Sequence, residues 1–187
     1  YNMLVLVSNP IGVDLAIEKA QKRLHDELLT KWGINTNMFL CYGRCYRNND
    51  KNGVIPAVYS NGEYKELLLN DNVIVHSFFD IGNVINYETE EHQNSTTIDL
   101  VFFVNLNKLY SNNLRQDEKV RQDVQLIFEG GKNGLLLQTI SIGNQALSEY
   151  SGYKKDAMKF KDMNQYHIFK MTYQSNYDYQ SYQCSTI

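Results

Sequence analysis

The chain has 187 residues, 43% of them hydrophobic and 21% charged, the makeup of one folded domain rather than of a largely disordered chain. Lysine and arginine total 18 against 21 aspartates and glutamates, a net charge of −3, which excludes a generic phosphate-gripping protein though not a local basic patch. Nothing approaches the run of about eighteen apolar residues that reads as a membrane helix.

Residues 2–7 alternate loosely and read as a short strand or an extended arm, cut off by Asn9-Pro10. The run is too short for a secretion signal and lacks a basic flank. The chain does not open on methionine, which leaves room for residues before Tyr1. From Ile11 to Trp32 the pattern is helical. Val13, Ile17, Ala20, Leu24, Leu28 and Trp32 form one apolar stripe, and Glu18, Lys19, Lys22, Arg23 and Asp26 fill the other face. Gly33 stands where a C-terminal cap belongs. Residues 37–47 read as a strand and Asn48–Gly53 as a polar loop. In VIPAVYSNGEYKELLL, Asn61-Gly62 between two β-prone runs predicts a hairpin with a type I′ turn. Pro56 lacks an amide donor and is expected at an edge or a strand start.

Residues 73–79 predict another strand and 96–106 a long one. Its continuous apolar run Leu100–Val104 implies cover on both faces, hence a central strand under a helix. A second helix is expected from about Gln116 to Glu129, with Val120, Val124, Ile127 and Phe128 inward and Gly130-Gly131 as its stop. Residues 135–142 read as a strand and 145–163 as a short helix followed by a loop. Residues 164–174 alternate with His167, Phe169, Met171 and Tyr173 on one side. The tail 175–187 is polar and tyrosine-rich with no core pattern. The order predicts an α+β domain, two helices packed on one face of a mainly antiparallel sheet. It divides into an N-terminal arm 1–9, a single domain 10–174 and a C-terminal arm 175–187. Ile17, Leu24, Leu28, Val124 and Ile127 are the expected core where helices meet sheet.

Two compositional features stand out: 14 tyrosines and 21 asparagines against two prolines. Both abundant types have A/T-rich codons, so genome bias accounts for them; a surface made for polar contacts with neighbours is the functional reading. The odd cysteine count (Cys41, Cys45, Cys184) fits a reducing compartment. In one strand, Cys41 and Cys45 would lie about 13 Å apart, beyond disulfide reach. No second ligand pair completes a zinc site. His76 and His167 read as ordinary strand side chains, His25 as a solvated helix residue beside Asp26, and His92 has no ligand partner at metal spacing. Gly130-Gly131-Lys132-Asn133-Gly134 imitates a phosphate loop but follows a helix, where carbonyls rather than amides point outward. One enzyme pattern has the right order: Glu18 or Glu27 on a helix, Asp50, then Glu63-Tyr64-Lys65, as in metal-dependent nucleases. Asp50 and Glu63 fall at loop and hairpin tips rather than in a pocket.

The element order, with IPAVY before a hairpin, TIDLVFFVNL before the helix DEKVRQDVQLIFEG, and YHIFKMTYQ near the end, resembles the tail terminator and head–tail connector proteins of tailed bacteriophages. VIPAVYSNGEYKELLLNDN and the Asn/Tyr-rich style resemble those of Bacteroidetes phages, the crAss-like group included. The likeness covers roughly residues 12–174. The arm 1–9, the stretch 130–163 and the tail 175–187 depart from the short terminators. The resemblance implies a virion protein of the neck or tail, assembled in the host cytoplasm, with no catalytic residue, metal or cofactor. Its partners would be further copies of itself in a six- or twelve-fold ring, neighbouring neck, portal or tail proteins, and genomic DNA passing through the lumen without tight binding; no membrane is involved. Leu4, Leu6, Tyr59, Tyr64, Tyr177, Tyr179 and Tyr182 are the expected subunit contacts. The alternatives are a non-viral binding module, such as a host-interaction adaptor, and the nuclease.

Overall fold

The computed structural model describes residues 4–51, 53–60, 62–88, 93–110, 115–153 and 165–178. The amphipathic stripe near the N-terminus becomes helix α1 (Val13–Trp32), with Ile17, Ala20, Leu24 and Leu28 buried. Gly33 ends it at φ 63°, a left-handed conformation in which glycine has no Cβ to clash.

The described residues form nine strands: β1 (Leu4–Val5), β2 (Phe39–Arg44), β3 (Tyr46–Asp50), β4 (Gly53–Ser60), β5 (Glu63–Glu66), β6 (Val75–Glu88), β7 (Gln93–Asn105), β8 (Leu135–Ile142) and β9 (Tyr166–Asp178). Six of them make one sheet in the order β1-β2-β6-β7-β9-β8, and β3-β4-β5 make a second. β1, β2 and β6 run parallel; every other pairing is antiparallel. The single turn α2 (Leu106–Leu109) continues β7, and α3 (Asp117–Ile127) lies beside α1. The chain is an α+β protein, as its element order predicts.

β7 is the central strand, and Leu100–Val104 are wholly buried. Leu100, Phe102 and Val104 join Ile17, Leu24, Leu28, Val124, Ile127, Phe169 and Met171 in the main core beneath the two helices. Val101 and Phe103 face the other way, onto Phe78, Val58, Leu67 and Tyr150. The helices therefore share one face of the large sheet, and the small sheet covers the other.

Several boundaries differ from the sequence reading. The expected strand 37–47 breaks at Cys45, whose amide donates to Phe79 O at 2.6 Å, and the chain there crosses from the large sheet into the small one. The expected loop 48–53 is mostly strand, since β3 runs to Asp50 and pairs through to Gly53. Pro56 lies inside β4, the middle strand of its sheet, rather than at an edge. Its carbonyl accepts the Leu67 amide at 2.8 Å. The return bond that proline cannot give is replaced by the Tyr153 hydroxyl, which donates to Leu67 O. β6 and β7 are far longer than 73–79 and 96–106, because their outer halves pair as a hairpin beyond a bulge between Ile81 and Ile85. Gly82 belongs to that bulge by close approach: a Cβ there would sit 2.1 Å from Thr97 Oγ1.

Both expected arms are partly sheet. Leu4 and Val5 pair with Cys41 and Tyr42. Gln21 of α1 fixes them by donating to Val5 O and Cys41 O, each at 2.8 Å. Residues 175–178 extend β9 against Gln93–Thr96 of β7. A polar sequence suffices there, because the ladder is made by backbone groups. Residues 1–3 and 179–187 lie outside the described residues. Among the described residues, no helix is long and apolar enough to cross a membrane.

Candidate functional site

The densest polar constellation is a row of charges on the face of the large sheet that carries the small one. Asp80 of β6, Asp99 of β7 and Thr172 of β9 stand opposite one another across three strands. Two carboxylates on adjacent strands repel unless each has a cation. Arg47 of β3 donates to Asp80 at 2.8 Å and Lys170 of β9 donates to Asp99 at 3.0 Å. Glu149 links the two pairs, 2.5 Å from Arg47 Nη2 and 3.5 Å from Lys170 Nζ. The Tyr150 hydroxyl and the Ile81 amide complete the shell of Asp80 at 2.6 and 2.8 Å. Burial works against the charge of Lys170 and Arg47, but their carboxylate partners outweigh it and raise both above their ordinary values. Burial, with Asp80 beside it, also raises Tyr150. Cations and donors from three segments already engage these carboxylates, so the row acts as a clasp that pins β3 and residues 149–150 to the large sheet.

A second clasp joins the helices. Asp123 of α3 accepts from Trp32 Nε1 at 2.9 Å and Lys119 at 3.2 Å, with Lys31 at 3.1 Å. Burial opposes ionisation, yet these donors hold the carboxyl below its usual range. Trp32, expected as part of the apolar stripe, thus also uses its indole N–H.

The histidines are separate. His76, on β6, bonds the backbone of Asn70, and burial lowers it to about 4. His167, on β9, contacts Asp117 at 3.0 Å, and burial lowers it to about 4 against that carboxylate's pull. It borders an open cavity of about 470 Å³ shared with Arg121, Asn144 and Ile142. His25 is buried against Phe39, rings 5.3 Å apart, rather than solvated, because it follows Gln21 by one turn on the sheet-facing side. His92 and Cys184 lie outside the described residues. Cys41, within β2, and Cys45, at the β2–β3 break, are buried free thiols, and burial pushes Cys41 up to about 12. Among the described residues, no three His, Cys, Asp or Glu side chains converge as a metal-binding group.

The nuclease-like residues do not come together. Glu18 and Glu27 pair with Lys22 and Arg23 on the outer side of α1. Glu63 and Lys65 stand exposed on β5, in the small sheet across the large one from that helix. The Asp50 side chain lies outside the described residues.

The expected contact residues fall in three places. Leu4 packs on the core from β1, while Leu6 is exposed. Tyr59 and Tyr64 project from the β4–β5 hairpin and touch in a tilted pair, ring centres 5.0 Å apart, with Tyr46 edge-on 5.4 Å from Tyr64. Tyr177 packs over Gly12, where a Cβ would meet its ring at 3.4 Å. Tyr179 and Tyr182 lie outside the described residues.

Sequence reasoning missed the apolar surface at the margins of the large sheet. β8 is its outermost strand, has no charged residue, and leaves Leu136 54%, Ile140 39% and Ile142 52% exposed. On the opposite side, the outer half of β6 exposes Val84 at 63% and Ile85 at 51%. The available signal was LLLQTISI itself, an apolar strand without a guarding charge.

No protein-family model matches the chain, and no curated protein matches it.

Proposed function

We propose that this protein is a structural subunit of a tailed-phage virion. It forms a ring in the neck or tail that joins head to tail and lets the genome pass through its lumen. The observation that carries the reading is β8. An edge strand offers unpaired amides and carbonyls to any other strand, and folded monomers guard such edges with charge, proline or cover. β8 has none of the charges and exposes three large aliphatic side chains. Such an edge is suited to strand addition between chains. The polar clusters, by contrast, are consumed in holding the fold together. A net charge of −3 suits a conduit, which must not grip the DNA it passes.

In this role the protein needs no catalytic residue or cofactor. It meets further copies of itself, with six- or twelve-fold closure, and the neck, portal or tail proteins above and below. The test is light scattering and negative-stain microscopy of the purified full chain. A closed ring with a central hole is expected. A monodisperse monomer at every concentration contradicts the reading, and magnesium-dependent DNA cleavage abolished by Glu63→Ala with Lys65→Ala would replace it with an enzyme.

A further inference from the structure

Among the described residues the large sheet has two long open margins on different strands, besides the two-residue β1 outside β2. One is β8. On the other side β2 accompanies β6 only as far as Phe79, where the chain leaves through Cys45 for the small sheet. Beyond that point Ile81–Asn86 of β6 has no strand on its outer side among the described residues. Neither margin is charged: Leu135–Ile142 contains no Asp, Glu, Lys or Arg, and neither does Ile81–Asn86. Both expose large aliphatic side chains.

Their directions are complementary. β8 is antiparallel to β9, β9 to β7, and β7 to β6, so β8 runs antiparallel to β6. Their levels overlap at one end: through β9 and β7, Leu135 is level with Ile85 and Leu137 with Ile81, while Thr139–Ile142 are level with Asp80–Ser77, where β2 runs beside β6. A second copy displaced sideways, and slid along the strands clear of β2, brings its β8 beside the outer half of β6 in the antiparallel sense, the commoner pairing. Each margin carries one bulge, which adds local twist where the two would meet.

Resting on the ring reading, we infer that β8 of each copy pairs with the outer half of β6 of the next, so that the subunits share one continuous sheet, head to tail. A heterologous contact of this kind repeats in one direction and makes a ring when its rotation closes. It also covers both margins at once. A two-fold pairing of β8 with β8 would leave Val84 and Ile85 in water.

The experiment uses two full-length variants, Leu136→Lys with Ile140→Lys on β8, and Val84→Lys with Ile85→Lys on β6. Each is examined alone and mixed with the other, by light scattering. All four residues are exposed, so the fold should survive, as circular dichroism and a thermal melt will show. Should a lysine pair unfold the chain, the serine pair at the same positions is read in the same way. Each variant alone should lose the large assembly and run as a monomer. The mixture should give a one-to-one dimer, because each variant keeps the margin the other lacks. A β6 variant that assembles like wild type, or a mixture that stays monomeric, overturns the inference. Rings that persist in both variants overturn it while leaving the ring reading intact, whereas a monomeric wild type overturns both.

Discussion

β5 and β8 are both outermost strands, and they are treated in opposite ways. β5 is four residues long, and three of them, Glu63, Lys65 and Glu66, are charged. Another strand docking there would have to desolvate those charges. β8 is eight residues long and has no charge. The hairpin tyrosines Tyr59 and Tyr64 touch each other, with Tyr46 edge-on to Tyr64, and both stay more than half exposed. One margin of this molecule carries charges that hold water, and the other carries none.

The strongest way to break both margins together is to damage the sheet they hang from. Phe102 is wholly buried and stacks on Phe169 with centres 5.0 Å apart. Phe102→Ala should cost about 3–5 kcal/mol in urea unfolding and abolish any assembly with the fold.

Acid should act on the same sheet. His76 has its pKa lowered by burial to about 4, below the ordinary value of about 6.5. The unfolded chain then binds the extra proton first. The stability this histidine contributes is complete above about pH 6.5 and is lost as the pH falls toward 4, about 3 kcal/mol at most. Urea midpoints measured across that window should fall, and His76→Gln should flatten the slope.

A milder change should loosen the β5 side and spare β8. Tyr150→Phe removes one of the donors to Asp80 and should cost about 1–3 kcal/mol, since a buried carboxylate loses a partner. Hydrogen exchange should quicken in β3 and β4, while the assembled mass stays as in wild type. The smallest effect is expected at the hairpin tip. Tyr64→Ser should change stability by less than about 1 kcal/mol and leave the assembled mass unchanged. A loss of assembly there would move the interface from β8 to the hairpin.

How much of this was legible in the sequence depends on what holds each element. α1 and β7 were plain, because long apolar periodicity reports burial directly. The outer end of the β6–β7 hairpin and the end of β9 were not, because Asn, Gln and Ser there pair through backbone, which leaves no hydrophobic trace. Pro56 argued against a middle strand, and nothing local announced that Tyr153 would supply the missing donor. The charge row was out of reach for another reason: Arg47 and Glu149 are 102 residues apart, and only the packing of the two sheets brings them together. The unguarded edge was readable letter by letter, but not as an edge, since the order of strands decides which one lies outermost.

The most direct test of the claim that β8 is covered by another copy is amide hydrogen exchange on the purified protein, comparing β8 with β5. In a lone edge strand, alternate amides face water and exchange quickly. If β8 joins neighbouring copies, the outward amides of Leu135–Ile142 should be protected while the outward amides of Glu63–Glu66 exchange fast. Outward amides of β8 exchanging as quickly as those of β5 would contradict it.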